Sequence, residues 1–353
     1  MLTLEQLSKK LEKIPAITAW YTADLAEARG KQELFTKQSP QKLKALKEHA
    51  IIESAVSSNR IEGINVNQKR LKIIVFGKQH LQDRDEEEVR GYQDALKLIH
   101  EKHKELIISD KIIKKLHNIS RAGIGDAGLF KQRNSDIIEK YPDGSHRIRF
   151  KTVNAKKTPE FISELVNYWE YCLSEKWVHP LIALAAFNLD FLCIHPFRDG
   201  NGRVSRLLLL LQCYHLGFEV GRYISLERLI EQNKERYYET LKQSSENWHE
   251  GKHDYWPYIN YILYILKSGY KEFESRLGSV KTARGAKTEI IETAVSSSSE
   301  NFILADLEKA CPGVSHDMIR RVLRDLQKTG KVECLGRGPG AKWRKKDNTL
   351  KKG

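Results

Sequence analysis

Residues 195–206 read His-Pro-Phe-Arg-Asp-Gly-Asn-Gly-Arg-Val-Ser-Arg. They lie between two apolar runs, Leu181 to Ile194 and Leu207 to Leu211, so a polar dozen interrupts chain that otherwise asks for burial. Apolar stretches of this kind predict helices covered on most faces. Gly200-Asn201-Gly202 predicts a tight turn at the entry of the second helix. Orphan N–H groups and the helix dipole there favour an anion, and glycines let a phosphate approach the backbone. Arg203 and Arg206 stand three apart, hence on one face, and the guanidinium suits bidentate phosphate contacts. Asp199 would repel bare phosphates, which a bridging Mg²⁺ would explain. His195, in an extended pre-proline position, is placed to act as general base on an incoming hydroxyl.

The run resembles the signature of the Fic family, His-x-Phe-x-(Asp/Glu)-Gly-Asn-Gly-Arg-x-x-Arg, without a departure. The resemblance implies a mainly α-helical core that moves AMP from ATP onto a Tyr, Thr or Ser hydroxyl of a protein target. It makes His195 the catalytic base and Phe197 the anchor of the loop. Asp199 becomes the Mg²⁺ ligand, and Gly200, Asn201, Gly202, Arg203, Val204, Ser205 and Arg206 the ATP-binding run. Doc-type relatives, which phosphorylate, depart at the central glycines and first arginine; this chain keeps both.

Upstream, Ser58-Asn59-Arg60-Ile61-Glu62-Gly63 ends a helical stretch of about residues 43–63, with Gly63 suited to the helix C-terminus. It resembles the family's inhibitory pattern, (Ser/Thr)-x-x-x-Glu-(Gly/Asn). The resemblance pairs Glu62 with Arg206 in the γ-phosphate space and makes Ser58, Glu62 and Gly63 the inhibitory set. A carboxylate beside Arg206 competes with a phosphate for one place. The plain alternative is an exposed glutamate at a helix end.

Asp136-Ile137-Ile138 and the alternating Arg147-Ile148-Arg149-Phe150-Lys151 flank Tyr141-Pro142-Asp143-Gly144-Ser145, which predicts a β-hairpin. By resemblance it is the flap that holds the target segment; by spacing alone it is equally a surface hairpin. Asn233-Lys234-Glu235-Arg236-Tyr237-Tyr238 resembles the stretch beside the adenine. Adjacent tyrosines point to different helix faces, which leaves Tyr238 for the pocket and Tyr237 for the core. His117 reads as a packed helix residue.

The 353 residues suffice for two or three domains. We expect an N-terminal helical region at 1–105, a catalytic core at 106–278 and a winged-helix module at 286–346. That last module follows from three short helices, Thr288 to Val295, Ile303 to Ala310 and Ser315 to Thr329. Two strand-like runs come after them, Lys331 to Leu335 and Ala341 to Arg344, around Gly336-Arg337-Gly338-Pro339-Gly340. Residues 279–353 hold 16 Lys and Arg against 9 Asp and Glu, half of the net charge of +14. Such a module points to an anionic partner, DNA through the third helix, or to protein docking or a homodimer contact. No apolar run reaches membrane length and the N-terminus carries no signal-peptide pattern. Five scattered cysteines suit a reducing cytoplasm. The rivals to AMP transfer are a nucleotide-sensing DNA-binding regulator and removal of AMP with Glu62 orienting water.

Overall fold

The apolar run that leads into the motif folds as the helix its composition predicts. In the computed structural model, residues 181–194 are buried without exception. The structure describes residues 2–10, 13–38, 40–64, 66–67, 70, 74, 77, 81–140, 144–278, 286–298, 300–311, 314–336, 338 and 340–346. The chain divides into two units, Met1–Leu277 and Gly278–Gly353. Among the described residues, no helix is long and apolar enough to cross a membrane.

The first unit begins with α1 (Thr3–Lys10), α2 (Ala16–Gln38), α3 (Pro40–Ile61), α4 (Arg84–Lys102) and α5 (Asp110–Ser120). An antiparallel hairpin follows, β1 (Ile137–Lys140) and β2 (His146–Phe150). Its residues Ile138 and Ile148 face each other across the strands, as the alternation predicts. Tyr141, Pro142 and Asp143 of the expected turn lie outside the described residues. Then come α6 (Thr158–Glu175), α7 (Pro180–Ile194), α8 (Asn201–His215), α9 (Leu226–Gln232), α10 (Lys234–Ser245) and α11 (Trp256–Gly278).

Helix α7 is the centre of this unit, packing against α1, α6 and α8. Its buried Asp190 accepts the backbone N–H groups of Thr3 (2.8 Å) and Leu4 (3.0 Å) and the indole N–H of Trp248 (2.8 Å). It thus covers orphan donors at the start of α1. Helix α3 packs against α4, α8 and α9, which brings its C-terminus to the start of α8.

Local chemistry sets where these helices begin and end. Helices α9 and α10 are separated at Asn233 (φ −118°, ψ 31°), whose amide turns back to the Leu229 carbonyl at 2.9 Å. The helix entering the motif starts at Pro180, with His179 as its cap. Thr158 is inside α6, and Pro159 occupies its first turn.

The second unit holds α12 (Ala286–Ser297), β3 (Asn301–Ile303), α13 (Leu304–Ala310), α14 (His316–Lys328), β4 (Val332–Cys334) and β5 (Lys342–Lys345). Strand β5 lies between β3 and β4, antiparallel to both. A separate core of Ile291, Phe302, Leu307, Ile319, Leu323 and Val332 fills the space beneath. Ser315 caps α14, and His316 is its first helical residue. The strand β3 was not expected: three residues are too few to show an alternation. Arg337 and Pro339 of the expected turn, and residues 279–285 of the expected linker, lie outside the described residues.

Candidate functional site

The polar dozen forms the link between α7 and α8, and its residues hold one another in place. His195 caps α7 in the left-handed region (φ 53°, ψ 62°), where its N–H still reaches the Phe191 carbonyl at 3.0 Å. This corrects the extended conformation expected before proline; the helix end dictates the turn instead. Phe197 is fully buried, its ring stacked on His117 with centroids 3.7 Å apart. The Asn201 side chain accepts from the Phe197 N–H (2.9 Å) and donates to its carbonyl (2.7 Å). His117 is the packed helix residue expected. Its Nδ1 accepts from the Gly128 N–H at 2.8 Å, so Nε2 carries the proton it shares with the Asp199 carbonyl at 3.0 Å.

Gly200 (φ 79°) then opens α8, and the cradle forms above Gly202. The Glu62 carboxylate lies directly against it: a side chain at residue 202 would overlap Glu62 Oε1. Arg206, almost fully buried, donates from Nη2 to Glu62 Oε1 (2.8 Å) and to the Ser58 carbonyl (2.9 Å), and from Nε to Ser58 Oγ (2.8 Å). Among the described residues its Nη1 is buried with no hydrogen-bond partner, and it lies 3.1 Å from the point where a Cβ of residue 202 would sit. A buried donor without an acceptor is costly, and this one is aimed at the cradle.

Glu62 reaches the cradle because α3 ends in a Schellman motif. The Ile64 N–H bonds the Asn59 carbonyl (3.0 Å) and the Gly63 N–H the Arg60 carbonyl (3.0 Å), with Gly63 at φ 87°. Ser58, Glu62, Gly63, Gly202 and Arg206 are therefore brought together.

Arg203 is 1% exposed and faces elsewhere. Its Nη1 pairs with Glu88 and donates to Asn59 Oδ1 at 3.3 Å, while Nη2 lies 3.8 Å from Asp199. Glu88 also binds Arg84 (2.8 Å) and Arg121 (3.3 Å). Asp199, half exposed, accepts the Gly200 N–H (2.7 Å) and pairs with Arg121. Burial opposes its charge, but Arg203 and Arg121 outweigh that and hold its carboxyl below the usual range.

Val204 and Ser205 do not face the cradle. Both are fully buried, the Val204 N–H bonds the Gly200 carbonyl, and the Ser205 hydroxyl donates to Asn188 at 3.0 Å. Tyr238 is half-buried and its hydroxyl donates to the Ile61 carbonyl at 3.3 Å, next to Glu62. Tyr237 is buried against Tyr258 and Tyr261.

The His195 ring is pushed down to about 4 by burial first and then by the Lys131 ammonium, so it is neutral near pH 7. Among the described residues its Nδ1 is buried with no hydrogen-bond partner.

Sequence reasoning missed Asn59, Glu88, Arg121 and Lys131. Glu88 stands in Asp85-Glu86-Glu87-Glu88, which reads as an ordinary acidic helix start. Among the described residues no group of three His, Cys, Asp or Glu gathers to hold a metal. A single carboxylate such as Asp199 fits only a Mg²⁺ that keeps waters and substrate phosphates as its other ligands.

Residues 107–213 match the Fic/DOC family. The chain is similar to Protein adenylyltransferase Fic of Nematostella vectensis, 25% identical over 228 residues, 62% of this chain and 47% of that protein. It is also similar to Protein adenylyltransferase Fic of Aedes aegypti, 30% identical over 107 residues, 30% of this chain and 19% of that one. The chain thus spans at most about half the length of these curated relatives. A Fic family protein from Desulfovibrio desulfuricans G20 superposes with a TM-score of 0.62 at 20% identity, covering 95% of this chain and 98% of that chain. Fic-1 from C. elegans does so at 0.56 and 20% identity, covering 76% and 75%. These two likenesses show a shared fold.

Proposed function

We propose, from the Fic domain that this chain carries, that it transfers AMP from ATP to a hydroxyl side chain of a protein target, and that Glu62 restrains it. In this reading the acceptor oxygen attacks the α-phosphorus, its proton passes to His195, and pyrophosphate leaves. Little covalent chemistry is required of the protein; positioning and charge neutralisation do the catalysis. The start of α8 and the Arg206 guanidinium take the phosphate oxygens. Arg203 acts from beneath, held by Glu88. Asp199 would hold a Mg²⁺ brought in with ATP, whose charge would neutralise the phosphates there. Tyr238 borders the space left for adenine.

The single observation that carries the reading is the Glu62 carboxylate lying against Gly202 and bonded to Arg206, an anion already seated in an anion's place. His195→Ala tests the chemistry. With labelled ATP and Mg²⁺, transfer to protein falls by about 10²–10⁴-fold while ATP binding is kept, since the imidazole serves the hydroxyl and not the phosphates. Transfer near the wild-type rate contradicts the role given to His195.

Removal of AMP by a water oriented on Glu62 is the second reading, favoured by the 31% exposure of that side chain. Loss of AMP removal in Glu62→Gly supports it, and unchanged removal rejects it. We assign the second unit to DNA as a winged helix. The support is the order helix, strand, helix, helix, strand, strand, with Arg320, Arg321 and Arg324 exposed on α14. A cytoplasmic location belongs to the same proposal.

A further inference from the structure

Lys131 is a buried amine whose ammonium is held by neutral groups. It is 4% exposed, and the nearby Asp136 carboxylate favours its charge without outweighing burial. Its Nζ donates to Thr152 Oγ1 at 2.7 Å and to the Ile194 carbonyl at 3.1 Å. Its backbone N–H donates to the Pro196 carbonyl at 2.9 Å. One residue therefore holds the carbonyls on both sides of His195, the residue kept in a left-handed turn that side chains rarely adopt. Such a conformation persists only where its surroundings enforce it.

Thr152 is itself fixed. Its N–H donates to Asp136 at 3.1 Å and its hydroxyl to the Ser135 carbonyl at 2.9 Å, closing the base of the β1–β2 hairpin. The cost of burying the ammonium is visible in its acidity, which burial moves down to about 8. A purely structural filler at this place would be apolar.

We propose that Lys131 is the positioning residue of the His195 loop, fixing the left-handed turn and so presenting the imidazole to the acceptor hydroxyl. The proposal rests on the reading of His195 as the base. The amine also faces the imidazole as a charge, alongside the carboxylates of Glu62 and Asp199. Removing it favours imidazolium and moves the ring's titration upward.

The test uses full-length chain carrying Glu62→Gly, with Lys131→Met, Lys131→Arg or Thr152→Val added. Two quantities are read: transfer of label from ATP to protein against pH, and the NMR titration of the His195 ring. The ring is identified by the signals that His195→Gln removes. In Lys131→Met, transfer falls at least about tenfold and the His195 midpoint rises by about one pH unit. Lys131→Arg restores both, and Thr152→Val lies between. If Lys131→Met does not fold, Thr152→Val decides: a shifted His195 titration with slower transfer supports the proposal. A His195 titration and transfer profile identical to the Glu62→Gly parent in the folded variants overturns it. If the ring responds to Lys131 but the parent transfers no label, positioning stands and the reading of His195 as base fails.

Discussion

A methyl group at residue 202 would overlap Glu62 Oε1 and lie 3.0 Å from its Cδ. Glycine here is a requirement of close approach and not of backbone freedom, since residue 202 is ordinary helix. Gly202→Ala should therefore lower the melting temperature of the wild-type chain, and that loss should shrink when Glu62→Gly is also present. An equal loss in both backgrounds would place the clash elsewhere. At this scale the motif was legible: Gly202, Arg206 and Glu62 could be placed from sequence spacing and resemblance. Glu88 and Lys131 could not. Glu88 lies 115 residues from Arg203 and Lys131 lies 63 from Ile194, and nothing local distinguishes them from surface charges. Val204 and Ser205 belong to the same lesson, because a motif gives neighbours along the chain and only the helix gives their faces.

In the proposed restraint, the element that matters is the end of α3. Glu62 is a poor residue for a helix C-terminus, where the dipole disfavours a carboxylate. The start of α8 and Arg206 reverse that preference, so the carboxylate is placed by its neighbour helix. Gly63, in the left-handed region with nothing within 4 Å of its would-be Cβ, lets the chain turn there. Gly63→Ala costs about 1 kcal/mol of strain without a clash. Labelling should rise above the wild type and stay below Glu62→Gly; labelling at the wild-type level would separate the turn from the restraint. The hairpin and the helix ends with Pro or Gly were legible because their residues fix backbone angles. The break at Asn233 was not, since one side chain bonding its own helix leaves the apolar pattern intact.

For the whole molecule, the two units meet at Leu277 and Gly278, close to residue 278 where the catalytic core was expected to end, while residues 1–277 form one unit. The second core takes Ile319, Val322, Leu323 and Leu326 from one face of α14. The third strand escaped notice through its shortness. The assignment to DNA makes a prediction about the full chain. Arg320→Glu with Arg324→Glu should weaken duplex binding and shallow the slope of log K against log salt by roughly 0.9 for each phosphate no longer neutralised. Transfer of AMP to a free protein target should be unchanged. Equal affinity and slope in the variant would remove DNA as the partner of α14.

One place above Gly202 is held by Glu62 and, in the proposed reaction, needed by phosphate. That competition is measured most directly by the rate of AMP transfer from labelled ATP by Glu62→Gly beside the wild type, at one ATP concentration and with Mg²⁺ present. The rate should rise at least about tenfold, equal to about 1.4 kcal/mol, because Arg206 regains its free donors and the cradle its space. A rate equal to or below that of the wild type would contradict it.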